Sequence, residues 1–344
     1  MQYRTLGRSG CAVSALALGT MTFGRETDQA GSFEQLDAFA AAGGTLVDVA
    51  AGYAETESEA IVGRWLAQAS SEVRDQVVLA TKGRFPTGPG PNDLGLSRRH
   101  LQTALDASLR RLQVDTIDLY QVHAWDALTP LEETLRFLDD AVSAGKIRYA
   151  GLSNYTGWQL TKAVERCRQH GWAPPVTLQP QYNLLARDIE WEVVPACEDA
   201  GLGLLPWSPL GGGWLTGKYS REAPPEGATR LGENPEAGVE GWSRRSTLER
   251  TWDVVDAVRA VAEAHGAPMG QVALAWLLGR PAVSSVILGA RTTAQLQENL
   301  GSVELTLGPD ELVRLDAASA PQIGDYTYGE SGVQQRHRRI EGGR

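Results

Sequence analysis

The hydrophobic positions of this chain fall into short continuous runs separated by amphipathic stretches. The runs are Ala15–Leu18, Thr45–Val49, Val77–Ala80, Ile117–Val122, Tyr149–Leu152, Val176–Leu178, Gly203–Trp207 and Ser285–Leu288. Near-continuous hydrophobicity suits parallel strands buried on both faces. Between them, the stretch from Ser97 to Leu112 sets Leu101, Ala104, Leu105, Leu109 and Leu112 on one helical face. Thr129-Pro130 reads as an N-cap followed by Pro at the first helical position, with Leu131, Leu135 and Leu138 behind it, and Ala144-Gly145 closes that helix. Similar segments cover 31–42, 56–69, 156–169, 190–200, 268–279 and 292–301. Strand and helix alternating eight times predict an α/β fold, a (β/α)8 TIM barrel in one domain over residues 1–320. A doubly wound open sheet fits less well, because no Gly-x-Gly-x-x-Gly follows the first strands.

Three segments fall outside the eight units. Residues 1–14, with Gly7 and Gly10 between two short apolar runs, read as a hairpin capping the barrel floor. Residues 208–246 form a long Gly- and Pro-rich loop after the seventh strand, of a length that is usually functional in a compact domain. Residues 321–344 form a polar, aromatic tail that could join a lid over the substrate.

Composition narrows the function classes. With 42 acidic against 32 basic side chains, the 344-residue chain carries a formal net charge of −10, which argues against a nucleic-acid partner. Its three cysteines, Cys11, Cys167 and Cys197, form no metal or disulfide spacing, so no metal is expected. No run of about 18 apolar residues and no signal-like start is present, so a cytoplasmic protein without a membrane partner is expected.

The chemistry is suggested by position. Each apolar run ends in a polar or aromatic residue that a core strand does not need: Asp48, Lys82, His123, Ser153-Asn154, Gln179, Trp207-Ser208 and, just past the last run, Arg291. In a parallel barrel these ends converge on the C-terminal rim, where barrel active sites lie. The chain has only four lysines, Lys82, Lys146, Lys162 and Lys218, so a lysine kept at a strand end points to chemistry a guanidinium cannot do.

On these elements the residues resemble the aldo-keto reductases. The motifs are L-V-D-V-A-A-G-Y at 46–53, A-T-K-G at 80–83, Q-V-H-A at 121–124 and G-L-S-N at 151–154. They continue with Q-P-Q-Y-N-L at 179–184, P-W-S-P-L-G-G-G at 206–213 and L-G-A-R-T-T-A-Q-L-Q-E-N-L at 288–300. The Trp207–Tyr219 loop is similar to that of the subgroup containing bacterial general reductases and potassium-channel β subunits. The resemblance covers residues 1 to about 320 and implies NADPH-dependent reduction of a small aldehyde or ketone, with Tyr53 as proton donor. It implies that Lys82 lowers the phenol pKa, that Asp48 holds Lys82 charged, and that His123 orients the carbonyl. Trp125, beside His123, would wall the substrate pocket.

For the cofactor, the resemblance places Gly19, Thr20, Met21 and Asp48 near the nicotinamide ribose, and Ser153, Asn154 and Gln179 at the carboxamide. Trp207 would stack on the ring, while Ser208, Pro209, Leu210, Gly211, Gly212 and Lys218 would wrap the pyrophosphate, with Arg230 a weaker candidate. Gly289, Arg291, Gln295, Glu298 and Asn299 would hold the adenosine end. Gly289 departs from the lysine many relatives carry there, and Arg291 could supply the missing charge to a 2′-phosphate. Val49 replaces a frequent threonine.

Other readings fare worse. Gly212-x-x-x-x-Gly217-Lys218 begins like a phosphate loop, but Tyr219 stands where Ser or Thr must ligate magnesium. A barrel glycosidase needs a second carboxylate facing Asp48, and Asp126 lies out in a loop. A nicotinamide-binding regulatory subunit with little turnover is the alternative function. The resemblance leaves a homo-oligomer open. Trp214, Trp242, Tyr326 and Tyr328 are expected to serve packing, and His100, His170 and His265 to lie on the surface, with His337 in the tail.

Overall fold

The structure is a computed structural model that describes residues 1–329 apart from 228, 323 and 325. It opens on an antiparallel hairpin, β1 (Tyr3–Thr5) and β2 (Ala12–Ser14). Eight parallel strands follow: β3 (Leu16–Gly19), β4 (Leu46–Asp48), β5 (Val78–Gly83), β6 (Ile117–Val122), β7 (Ile147–Ser153), β8 (Pro175–Gln179), β9 (Gly203–Leu204) and β10 (Val286–Leu288). They pair in chain order, and β10 returns to pair with β3. The ring is completed where Leu204 N donates to Ala282 O (2.7 Å), Ser284 N to Leu204 O (2.9 Å) and Ile287 N to Pro206 O (3.0 Å). The fold is the expected (β/α)8 barrel with its N-terminal hairpin.

The helices are α1 (Gln29–Ala41), α2 (Glu57–Gln68), α3 (Ser71–Gln76), α4 (Arg98–Leu112), α5 (Leu131–Ser143), α6 (Gly157–His170) and α7 (Val193–Ala200). After β9 come α8 (Arg230–Glu233), α9 (Trp242–Ser246), α10 (Glu249–His265), α11 (Met269–Leu278), α12 (Thr293–Leu300) and α13 (Pro309–Ala318). Ser97 caps α4 by accepting from His100 N, and Thr156 with Gln159 forms a capping box on α6. The expected N-cap at Thr129 is not made. Pro130 occupies that position without a side-chain bond, and the Thr129 hydroxyl donates to Asp126 instead (2.7 Å). The helices α3, α10 and α13, and the short α8 and α9 within the long loop, lie beyond those expected.

Strand side chains alternate, and here the alternation separates two cores. Leu16, Leu18, Val47, Leu79, Val122, Leu152, Leu178, Val286 and Leu288 face outward and pack against the helices in the larger cluster. Ala17, Leu46, Ala80, Leu119, Leu205 and Ile287 face inward and form a second buried cluster with Leu6 and Val13 of the hairpin. Burying one such Leu or Ile contributes about 1.5–3 kcal/mol. His100, expected on the surface, is 1% exposed against the barrel side of α4. Among the described residues, no helix is long and apolar enough to cross a membrane.

Candidate active site

The inward apolar layer locates the site. Two residues further along each strand, the same face of the sheet carries Gly19, Asp48, Lys82, Gln121, Trp207 and Gly289, and Thr177 leads likewise to Gln179. One more step beyond Gln121 is His123. The polar strand ends are therefore a layer stacked on a dry floor, and they converge as expected.

Lys82 is the centre of this layer. Its ammonium is 1% exposed and has three N–H donors. They go to Asp48 Oδ2 (2.7 Å), the Val49 carbonyl (2.7 Å) and the Tyr53 hydroxyl (3.3 Å). Asp48, 2% exposed, accepts on its other oxygen from Gln179 Nε2 (2.9 Å) and Gln121 Nε2 (3.3 Å). Burial alone would favour loss of the lysine proton; Asp48, with lesser help from Tyr53, more than offsets this and raises the Lys82 pKa above its usual value.

Tyr53 does not behave as expected in one respect. Burial pushes its phenol up, the Lys82 charge and hydrogen bond pull it down, and Asp48 pushes it up again, with a net rise above the ordinary value of 10. Lys82 limits the rise and does not reverse it. The phenol is thus protonated at neutral pH. Because the ammonium only donates, the Tyr53 oxygen accepts from it and keeps its own O–H for another acceptor.

A strained turn follows this residue. Ala54, Glu55 and Thr56 follow with φ of 46°, 52° and 83°, three successive side-chain-bearing residues in the left-handed region. Each costs about 1–2 kcal/mol relative to right-handed backbone. Glu55 is exposed, so Glu55→Gly is expected to raise stability by about 1 kcal/mol after the entropy of the added glycine. The denaturation midpoint checks this, and a fall would show that the turn is not strained.

His123, 9% exposed, stands edge-on to Tyr53 with ring centroids 5.9 Å apart and packs on Phe85 at 4.4 Å. Burial, then the charges of Lys82 and Arg84, push its pKa down to about 2, so the imidazole is neutral. Its backbone oxygen accepts from Asn154 Nδ2 (3.0 Å), which also donates to Ser153 Oγ (3.1 Å). Asn154 Oδ1 accepts from the Trp207 indole (3.1 Å), and Ser153 Oγ donates to the Gln179 carbonyl (2.8 Å). The ends of β6, β7 and β8 are thus linked to Trp207. Trp125 packs edge-on against Tyr155 (5.3 Å) and Trp158 (5.4 Å) on the same side of the mouth as His123.

The long loop folds back over β8. Gly211, Gly212 and Gly213 take φ of 58°, 66° and 102°, a turn that any side chain would resist. At Gly213 an added Cβ would lie 3.3 Å from Lys218 Cδ, so the lysine stem lies across this turn. Buried Glu240 fastens the loop: it accepts from Arg245 Nε (2.6 Å) and from Gln181, and its backbone oxygen accepts from the Trp214 indole (3.0 Å). Trp214 is fully buried, stacked on Trp242 at 5.1 Å, so both serve packing as expected.

Comparison with known proteins agrees with this geometry. A sequence model described as the aldo/keto reductase family matches residues 15–320. The chain belongs to the aldo/keto reductase family. It is 37% identical over 324 residues to the uncharacterized oxidoreductase YrpG of Bacillus subtilis, covering 92% of this chain and 95% of the relative. It is 36% identical to a probable voltage-gated potassium channel subunit beta of Arabidopsis thaliana, covering 89% and 92%. It is 33% identical to versiconal hemiacetal acetate reductase of Aspergillus parasiticus, covering 94% and 98%. The family is one of oxidoreductases that generally use nicotinamide cofactors on small carbonyl compounds.

Within this family frame the remaining expected residues can be placed. Gly19 is required by close approach, since a Cβ there would lie 2.7 Å from Ile287 Cγ2. Thr20 donates to the Asp48 carbonyl (3.1 Å), and Met21 is 41% exposed at the rim. Pro209 is buried and Leu210 half-buried. Arg291 donates to both oxygens of Glu233 (2.9 and 2.7 Å), and Gln295 accepts from its backbone N–H (3.0 Å). Lys218 lies where the charges of Arg291 and Glu298 reach it, so the glycine turn and the start of α12 are neighbours. Asn299 is buried. Arg230 opens α8 beside Gly238. Tyr328 stacks on Trp191 at 5.4 Å and donates to Glu192, whereas His337 and residues 330–344 of the tail lie outside the described residues. Among the described residues no metal-binding cluster occurs.

Gln121 and Asn183, present in the motifs but given no role there, join the site, as do Phe85, Arg84, Glu240 and Arg245. Gln121 had a signal, since it precedes His123 by two positions and must share its face. Asn183 donates to the Ser208 carbonyl (2.8 Å), a loop contact that no periodicity could foretell.

Proposed function

We propose that the protein reduces an aldehyde or ketone to an alcohol with NADPH, residues 1–320 acting as one barrel domain. One arrangement carries this reading: a buried ammonium whose three donors are spent on Asp48, Val49 and Tyr53, beside a neutral His123. When bound, the nicotinamide supplies a hydride to the carbonyl carbon. Tyr53 gives its proton to the carbonyl oxygen, and Lys82 steadies the phenolate left behind. Asp48 keeps Lys82 charged, and Gln121 and Gln179 hold Asp48. The neutral imidazole of His123 donates an N–H to the oxygen as negative charge develops on it. Trp125 walls the carbonyl's surroundings.

The residues suit such a cofactor. The positive-φ glycines 211–213 put no side chain on this turn, so a diphosphate would approach the backbone closely there, and Lys218 lies across it. Trp207 is half-buried, its indole oriented by Asn154, and would stack on the nicotinamide. At Gly289 an added Cβ would meet nothing within 4 Å, leaving room at the adenosine end. Arg291 supplies a guanidinium there that would exchange Glu233 for a 2′-phosphate.

Oxidation of NADPH by 4-nitrobenzaldehyde tests the reading. Turnover is expected; tight binding of NADPH with no turnover of any carbonyl would instead make the chain a cofactor-binding regulatory subunit. Fluorescence quenching should give a lower Kd for NADPH than for NADH, and Arg291→Ala should narrow the gap about tenfold. Tighter NADH in the parent chain would overturn the NADPH preference.

A further inference from the structure

We infer that Arg84 selects carbonyl substrates bearing a carboxylate a few bonds from the reacting carbon. This rests on the reductase reading and adds a substrate class to it. Arg84 immediately follows β5, and its φ is 145°, in the region that favours glycine. Side chains held in such a conformation cluster at ligand clamps and active sites. Two bonds fix it: its carbonyl accepts from Gly95 N (2.8 Å), and its Nε donates to the Trp125 carbonyl (3.1 Å). The guanidinium carbon lies 5.2 Å from the Phe85 ring, and Phe85 in turn packs 4.4 Å from the His123 ring. One aromatic ring therefore separates this cation from the imidazole that would orient the carbonyl.

The guanidinium is half-buried, yet the described residues put no carboxylate within ion-pair distance of it. Arg4 and Arg250 are also half-buried and bond only to backbone carbonyls, at the barrel floor and beside α13, whereas three sheltered arginines hold carboxylates. Arg111, Arg187 and Arg245 grip Glu59, Glu190 and Glu240 at 2.5, 2.8 and 2.6 Å. Asp126 feels the Arg84 charge, but its oxygens accept from Leu96 N (2.9 Å), Leu128 N (3.0 Å) and Thr129 Oγ1 (2.7 Å). Its role is to order the loop. The two terminal nitrogens of Arg84 thus keep the fork geometry that matches a carboxylate. Nearby, the Tyr155 ring stands edge-on to Trp125 and its hydroxyl is buried with no partner, within reach of the Arg84 charge. Neither basic residue of the strand-end layer can serve: Lys82 has spent its donors, and His123 is neutral. On a chain of net charge −10, a local cation is what an anionic substrate would need at the mouth.

The test compares 4-carboxybenzaldehyde with its methyl ester. The ratio of kcat/KM values should favour the acid about tenfold in the parent chain, near 1.4 kcal/mol. Arg84→Gln should abolish that preference, and Arg84→Lys should keep part of it, since the charge remains and the fork is lost. A ratio that favours the ester, or one unchanged in Arg84→Gln, would overturn the inference. Equilibrium binding of benzoate against benzamide gives a readout independent of turnover: benzoate should bind more tightly only while Arg84 is present. If these aldehydes and 4-nitrobenzaldehyde alike are not reduced, the reductase reading is what fails, and the binding comparison still decides the role of Arg84.

Discussion

Replacing Tyr53 with phenylalanine is expected to lower carbonyl reduction by about 10²–10⁴-fold, the usual contribution of a positioned proton donor. The Kd for NADPH should stay close to that of the parent, because the lost hydroxyl faces Lys82 and the substrate side of the layer. The pH dependence follows from the same group. In the proposed reaction reduction needs the protonated phenol, and burial holds its pKa above the ordinary value. The kcat/KM profile should therefore be flat through neutrality and fall only on the alkaline side. His123, at about 2, adds no inflection between about pH 4 and 9. A fully active Tyr53→Phe enzyme, or a rate that climbs with pH across neutrality, would refute the assignment.

The second large effect concerns stability. Lys82→Met leaves the Asp48 carboxylate buried without its cation, and breaking such a pair from one side costs about 3–5 kcal/mol. Adding Asp48→Leu removes the stranded charge and should recover much of that loss while turnover stays absent. Denaturant midpoints and NADPH oxidation, measured on both variants, separate the two roles. Because the Lys82 pKa is raised on folding, its contribution is fully present at neutral pH and is lost as pH rises past the ordinary lysine value through the folded one. A Lys82→Met protein as stable as the parent would mean that the pair does not hold this layer together.

The barrel and the core of the site were legible because both follow from periodicity. Parallel strands buried on two faces write themselves as apolar runs, and polar residues at their ends have only the rim to occupy. Asp48, Lys82, His123 and Gln179 were found in that way. What escaped has local causes. The helix α10 draws its buried face from Val254, Val255, Val258 and Val261, β-branched residues that mark a helix weakly. His100 is buried because its turn of α4 faces the barrel, a fact of packing that its polarity conceals. Tyr53 was assigned a lowered pKa from its cation alone, whereas burial, which a sequence does not display, outweighs that cation. Arg84 and Glu240 sit in loops, where neighbours are chosen by the fold and leave no period in the chain.

The hairpin β1–β2 has a kinetic consequence. Leu6 and Val13 are fully buried against the inward-facing strand residues, so the N-terminal end of the barrel is stoppered. Under the proposed function, two molecules that meet above Asp48 would then share a single doorway, and whichever settles deeper would arrive first and depart last.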